Sequence, residues 1–478
     1  MSRKVFAGAK IRRLREQRGL SQTALAKMLD VSPSYLNLME HDQRPVTAPV
    51  LIKLSETLDV SMRAFSNDDE ARLVTELREV FADEFFRKAP VSPNEIEAIA
   101  GTAPSVAHSV IDLYRAFRSG REENPGTSTA DLAPRSELSA FRLASEEVSD
   151  FIQEQGNYFP DIETAASTLS DQFERSGMGL YAALEAHLRA AHELAVEVVP
   201  LKQSAGALRR YDRPNRRIIL SELLPSASRG FHLAHQLGLI EHDALFDEIV
   251  GQAGFRNPDS RSLARLALAN YFAGALLMPY DAFLASAQEA RYDINILENR
   301  YNASFEQVCH RLTTLNKPAA RGVPFHFVRL DIAGNISKRF SASGIQIARY
   351  GGACPRWNVH DAFLTPGMIR TQLSQMPDGS TYFCLARTVR KAGGGYRHAQ
   401  DYLAIGLGCD TTHAHALVYA DGVDVDNVDA ALPIGVSCRI CDRMNCRQRA
   451  FPPLNQRLDV DEDVRGPSAY VSADDFAD

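Results

Sequence analysis

The stretch KIRRLREQRGLSQTALAKMLDVSPSYLNLMEHDQRPVTAPVLIKLSETLDV limits what its end of the chain can fold into more than any other segment does. Its apolar residues Ile11, Leu14, Leu25, Met28, Leu29, Leu36, Met39, Leu51, Leu54 and Leu58 recur at helical spacing, with turn signals between the runs. That pattern predicts four short amphipathic helices. Gly19 ends the first, and Ser21 stands where an N-cap hydroxyl would open the second. After Asp30 a three-residue turn leads to Ser32-Pro33, a capping serine followed by a proline at the first helical position. Two helices joined by so tight a turn, the second running from Pro33 to about His41, make a helix-turn-helix.

The spacing of GLSQTALAKMLDVSPSYLNLME resembles the phage-repressor (Cro/C1-like) DNA-binding family. The resemblance implies that the helix from Pro33 lies in the major groove. Gln22 and Thr23 would then touch a phosphate or a base edge, while Ser32, Ser34, Tyr35 and Asn37 face the groove. Arg12, Arg13, Arg15 and Arg44 are candidates for phosphates, which supply affinity but little sequence information. The charge is local: Arg3 to Arg63 is rich in Lys and Arg, although the whole chain carries a net charge of -7 and ends in the acidic DVDEDVRGPSAYVSADDFAD.

A chain of 478 residues is too long for one typical core and should hold roughly three domains. The expected fold class is multidomain and mainly α. It comprises an all-α helix-turn-helix domain over 1–66, a helical connector over 67–118, a linker over 119–137, and an α+β metallopeptidase-like domain over 138–320. An α+β domain with a cysteine cluster over 321–460 and an acidic, disordered tail over 461–478 complete it. No apolar run approaches the ~20 residues needed to span a bilayer and no charged-then-apolar leader opens the chain, so a cytoplasmic protein with no membrane partner is expected.

In the middle, LRRYDRPNRRIILSELL predicts a β-hairpin turning at Asp212 to Asn215. It is followed by SRGFHLAHQLGLIEH, and this order, continued by ALANYFAGALLMPYDAF and SFEQVCHRLTTLNKP, resembles the ImmA/IrrE metallopeptidase-like domain. Active members carry H-E-x-x-H, two histidines on one helical face that hold zinc and a glutamate that deprotonates water. Here His235 is followed by Gln236, which has no useful basicity near neutral pH. Leu239 stands where the second histidine would be, and no Asp or Glu occurs from Ser260 through Tyr280. His232, His235 and His242 share a face, yet the outer two are about 15 Å of helix apart and cannot bind one ion. No catalytic residue and no enzyme are therefore expected. Arg209, Arg210, Arg213, Arg216 and Arg217 could serve a polyanionic effector such as a CoA phosphate. A solvated basic hairpin is the plainer reading.

SCRICDRMNCRQRAFPP places Cys438, Cys441 and Cys446 in a C-x2-C-x4-C pattern. Such spacing can turn three thiolates onto one metal centre. Cys354, in YGGACPRWNVHDAF, is the expected fourth ligand, with Cys409 in reserve; Cys309 and Cys384 lie in apolar runs and read as core residues. Spacing does not decide between a [4Fe-4S] cluster and structural zinc. Arg439, Arg443, Arg447 and Arg449 would offset the thiolate charge.

Taken together, the helix-turn-helix, the ImmA/IrrE-like segment, ACPRW and CRxCDRxxCxxRAFPP resemble the short-chain fatty acyl-CoA-responsive transcriptional regulators, relatives of regulators of propionate, methylcitrate and glyoxylate-cycle genes. The resemblance implies promoter DNA as partner, an acyl-CoA such as propionyl-CoA or acetyl-CoA as effector, a [4Fe-4S] cluster as found in some relatives, and a homodimer or higher homo-oligomer reading two-fold related half-sites. A redox regulator without an acyl-CoA effector, and a zinc metallopeptidase that cleaves a repressor, are the rival expectations.

Overall fold

A computed structural model of the chain describes residues 8–18, 20–40, 44, 46–57, 68–86, 91–123, 137–204, 206–255, 257–349, 352–391, 401–443 and 445–452. Its contacts divide the chain into two compact units. One is Met1–Leu132 with Cys438–Asn445 and Arg449–Asp478; the other is Ala133–Ser437 with Cys446–Gln448.

The first unit begins with α1 (Gly8–Gln17), α2 (Gln22–Leu29), α3 (Pro33–Glu40) and α4 (Ala48–Thr57). Ile11, Leu25, Leu29, Leu36, Met39 and Leu54 form their shared core, and burying each such side chain contributes about 1.5–3 kcal/mol. Met28, counted with the apolar face in the sequence, is instead exposed. Gly19 and Leu58 lie outside the described residues. Ser21 caps α2 by accepting from the Ala24 N–H at 3.1 Å, and Asp30 closes it in the left-handed region at φ 57° with its N–H on the Ala26 and Lys27 carbonyls. The start of α1 abuts α3 so closely that a Cβ on Gly8 would lie 2.3 Å from the Met39 carbonyl oxygen. Only glycine fits there.

Next come α5 (Asp68–Phe81), α6 (Pro93–Thr102) and α7 (Pro104–Glu123). A capping box between Ser92 and Glu95 opens α6. The connector expected to stop at 118 runs on as helix to Glu123. The rest of the predicted linker up to 136, like the acidic tail, lies outside the described residues.

The second unit opens with α8 (Glu137–Glu154), α9 (Pro160–Arg175) and α10 (Leu180–His192), then β1 (Ala195–Val199), α11 (Leu201–Ser204), β2 (Arg209–Asp212) and β3 (Arg217–Ser221). The sheet order is β1-β3-β2; β2 and β3 form the antiparallel hairpin and β1 joins β3 in parallel. The Asp212 carboxylate accepts from the backbone and side-chain amide of Asn215 within the turn, the local chemistry that made the hairpin predictable. Helices α12 (Ser226–Glu241), α13 (Asp243–Gln252), α14 (Pro258–Leu277), α15 (Tyr280–Glu289), α16 (Ile294–Tyr301) and α17 (Phe305–Thr313) follow. Gly238 lets α12 close on α14, since a Cβ there would stand 2.7 Å from the Phe272 ring.

A larger sheet of β4 (His326–Leu330), β5 (Ile336–Ser341), β6 (Arg370–Gln375), β7 (Thr381–Arg390), β8 (Tyr402–Asp410) and β9 (Leu432–Pro433) completes the unit, with the short α18 (Asn358–Asp361) before β6. Its order is β5-β4-β8-β7-β6-β9, antiparallel apart from the β6–β9 edge. Segments 138–320 and 321–460, expected as separate domains, meet in one continuous core that includes Ile162, Leu233, Phe272, Phe283, Phe327 and Leu407. A buried pair holds the frame. Arg311 donates to both Glu163 oxygens at 2.6 and 2.9 Å, the Tyr271 hydroxyl donates to Glu163 at 2.6 Å, and Arg311 Nε donates to the Met278 carbonyl. No described helix is long and apolar enough to cross a membrane.

Candidate functional site

In the first unit, α3 leaves Ser34 and Asn37 exposed beside Ser32, whose hydroxyl caps the helix by accepting from the Tyr35 N–H at 3.1 Å. Tyr35 is half-buried against the core, and Thr23, Arg12 and Arg44 are exposed. Gln22 ties α2 to α3, its Nε2 donating to Asn37 Oδ1 at 3.1 Å and to Glu40 Oε2 at 2.9 Å. The Arg13 side chain lies outside the described residues. One expectation is corrected: Arg15, expected at a phosphate, donates to both oxygens of the buried Glu40 and to the Leu20 carbonyl. It braces α1 against α3 beneath the surface on which Ser34 and Asn37 lie.

In the second unit the hairpin carries Arg209 to α12. Its Nη1 lies 2.6 Å from His235 Nδ1 and also donates to the His232 carbonyl at 3.0 Å. A guanidinium is only a donor, so Nδ1 accepts and the imidazole proton sits on Nε2. Burial lowers Arg209 to about 10, which leaves it charged at neutral pH. Burial and then the Arg209 charge push His235 down to about 3 and His232 to about 4, so both rings are neutral. A fixed cation therefore caps His235 Nδ1 and closes that nitrogen to a divalent ion. Gln236 is buried, Leu239 packs on the core, and His242 packs at a tilt against Phe272 with ring centroids 4.7 Å apart. The Arg209 contact spans 26 residues and leaves no mark in a motif search. A buried position facing a basic hairpin was its one available sequence signal.

The other hairpin arginines are mostly engaged as well. Arg216 pairs with Glu193 at 3.0 Å and donates to the His192 carbonyl, Arg217 pairs with Asp212 and Glu197, each at 3.0 Å, and Arg213 lies over the Tyr211 ring. Arg210 is exposed.

Sequence reasoning missed a second cluster at the end of α12. Glu241 Oε1 receives His187 Nε2 at 2.6 Å and His192 Nε2 at 2.7 Å. Among the described residues, this is the group of three metal-ligand side chains whose donor atoms lie within 4.8 Å of one another.

None of the seven cysteines is in a disulfide. Cys309, Cys384 and Cys409 are buried, and burial raises their thiols, Cys384 to about 11. The reserve ligand Cys409 is thus a core residue of β8. Cys354 is also buried, packed with Trp357 and Ala353 in a smaller core. Cys438 and Cys441 flank a turn in the first unit and are partly exposed, as is Cys446. Arg449, itself buried, gathers that loop by donating to the carbonyls of Cys438, Cys441 and Arg443 at 2.9, 2.8 and 2.6 Å. Arg439 lies over the Phe451 ring.

Comparison with known proteins divides the chain in the same order. Residues 11–65 match a helix-turn-helix family, 190–313 the IrrE N-terminal-like domain, and 314–470 the C-terminal domain of the short-chain fatty acyl coenzyme A regulators. The chain is 43% identical to the HTH-type transcriptional regulator PrpR of Mycobacterium tuberculosis, covering 98% of this chain and 96% of that protein. It is 42% identical to a propionyl-CoA carboxylase regulator of Cereibacter sphaeroides, over 99% and 100% of the two chains. RamB of Mycobacterium tuberculosis is 40% identical over 98% and 99%. A solved Mycobacterium tuberculosis transcriptional regulator superposes with a TM-score of 0.65 at 43% identity, over 69% of this chain and 99% of that one.

Proposed function

The chain belongs to the short-chain fatty acyl coenzyme A regulators and is a DNA-binding transcriptional regulator, not an enzyme; from that premise we propose that it controls genes of short-chain acyl-CoA metabolism and answers to an acyl-CoA such as propionyl-CoA or acetyl-CoA. The observation that carries this reading is the near-complete coverage of relatives, one of them named for propionyl-CoA carboxylase. The exposed Ser34 and Asn37 on α3, steadied by Gln22 and the Arg15–Glu40 brace, supply the DNA-reading face. Arg12, Arg13 and Arg44 supply phosphate contacts. Two chains form a homodimer on half-sites about one helical turn apart, in the cytoplasm where the promoter is. The effector binds one conformation more tightly and so shifts the paired reading heads.

Cys438, Cys441 and Cys446, with Cys354, hold a [4Fe-4S] cluster in this reading. Thiol donors suit iron-sulfur or zinc, and Arg449 fixes the backbone that carries two of them. The cluster would add sensitivity to electron gain and loss; Arg439, Arg443 and Arg447 offset its charge. Anaerobic purification tests this half: a visible sulfur-to-iron absorption band supports it, and zinc without that band overturns it. The effector half is tested by titrating a promoter fragment with the full chain across a panel of short-chain acyl-CoAs. A changed affinity with at least one member is expected, and identical shifts throughout refute the effector role.

A further inference from the structure

We propose that His187, His192 and Glu241 form a binding site for a divalent transition-metal ion of the zinc class, separate from both the degenerate motif and the cysteine loop. The three side chains come from two packed helices. His192 is the last residue of α10, closed by Glu193 in the left-handed region at φ 54°, and Glu241 is the last residue of α12. Both imidazoles address the same carboxylate oxygen, Oε1, rather than dividing the two oxygens between them. That convergence on one point is what an ion requires.

The donor set selects the ion. Two imidazole nitrogens and one carboxylate oxygen suit Zn²⁺, Co²⁺, Ni²⁺ or Cu²⁺, whereas Mg²⁺ and Ca²⁺ demand mostly oxygen. Bonds of 2.0–2.2 Å in a tetrahedron put neighbouring ligand atoms about 3.3 Å apart. The observed 2.6 and 2.7 Å contacts need open by only ~0.7 Å. The side chains are 25%, 24% and 21% exposed, so solvent can reach a fourth position and the rings have room to turn.

The site also has a route to the rest of the domain. Arg216, at the start of the hairpin strand β3, donates to the His192 carbonyl and pairs with the adjacent Glu193. An ion would therefore fasten α10, α12 and the hairpin at one corner, while Arg209 on the same hairpin holds His235 Nδ1.

The test uses the full-length chain, stripped by chelator, with Co²⁺ and Zn²⁺ as probes, beside His192→Ala and Glu241→Gln. The glutamine keeps an oxygen acceptor for the histidines, so a hydrogen-bonded clamp would survive it while metal affinity would not. We expect the wild type to bind one more equivalent than either variant, with the extra Co²⁺ showing ligand-field bands and no sulfur charge-transfer band. The affinity at that site should fall at least tenfold in both variants. Anomalous scattering from zinc-soaked crystals of the wild type, with a peak between the three side chains, gives the same answer without a variant. Equal metal content in all three proteins and no such peak would overturn the proposal and leave a His–Glu clamp.

Discussion

His235, past the middle of α12, and Glu241, at its end, both face side chains delivered by other elements, but a guanidinium meets the first and two imidazoles meet the second. At His235 burial and a fixed positive charge act together, so the ring stays neutral with its Nδ1 taken by Arg209. At Glu241 partial exposure and a carboxylate act together, and the donors converge. Within about 9 Å of one helix, the partner supplied across the fold decides what a metal-type residue can do. Gln236 and Leu239, standing where a glutamate and a second histidine would act, leave one end without a catalytic set and do not decide what the other end can hold.

The largest break in this contrast would come from the frame both ends share. Arg311→Met should leave Glu163 charged and buried, costing about 3–5 kcal/mol, read as a lower denaturation midpoint of the second unit with the first unit unaffected. Arg209→Ala acts on one end only. It leaves His235 Nδ1 without its donor and should cost about 1–3 kcal/mol, and zinc added to that variant should still cleave no peptide, because neither a base nor a second histidine ligand returns. Recovered zinc-dependent hydrolysis would break the comparison.

Acid sharpens it further. His232 and His235 are held at about 4 and about 3 in the fold, below the value of ~6.5 expected in the unfolded chain. The unfolded chain binds these protons first, so stability falls as pH drops through about 6.5 and keeps falling until the folded values are reached. His235→Gln should flatten that slope between about pH 6 and 4, by up to ~1.4 kcal/mol per pH unit. Glu241 acts in the same direction in a lower window: its lowered value adds stability that is lost only as pH falls below the unfolded carboxylate range. The smallest effect belongs to Arg216→Ala at the exposed pair with Glu193, about 0–1 kcal/mol in a thermal melt.

What was legible in the sequence was local. Ser21, Asp30 and Ser32-Pro33 marked the turns of the reading head, Asp212 to Asn215 marked the hairpin, and Gln236 with Leu239 marked the lost catalytic set. What was not legible depends on partners far along the chain. Arg15 looks like a surface cation until Glu40 is brought beside it. Arg209 looks like a ligand for phosphate until the hairpin folds onto α12. His187 and His192 lie 54 and 49 residues from Glu241, and only the packing of α10 on α12 joins them to it. The core shared across residues 138–320 and 321–460 escaped for the same reason, since apolar periodicity marks a buried face but not what covers it.

In the proposed function, acyl-CoA and promoter DNA bind one linked system. Linkage requires that whatever factor the effector imposes on DNA affinity, DNA imposes on effector affinity. The direct measurement is calorimetric titration of propionyl-CoA into the full chain alone and into the chain saturated with its operator. The account predicts two different dissociation constants whose ratio equals the change in operator affinity measured with and without propionyl-CoA. Equal constants, or no binding of propionyl-CoA to either form, would contradict it.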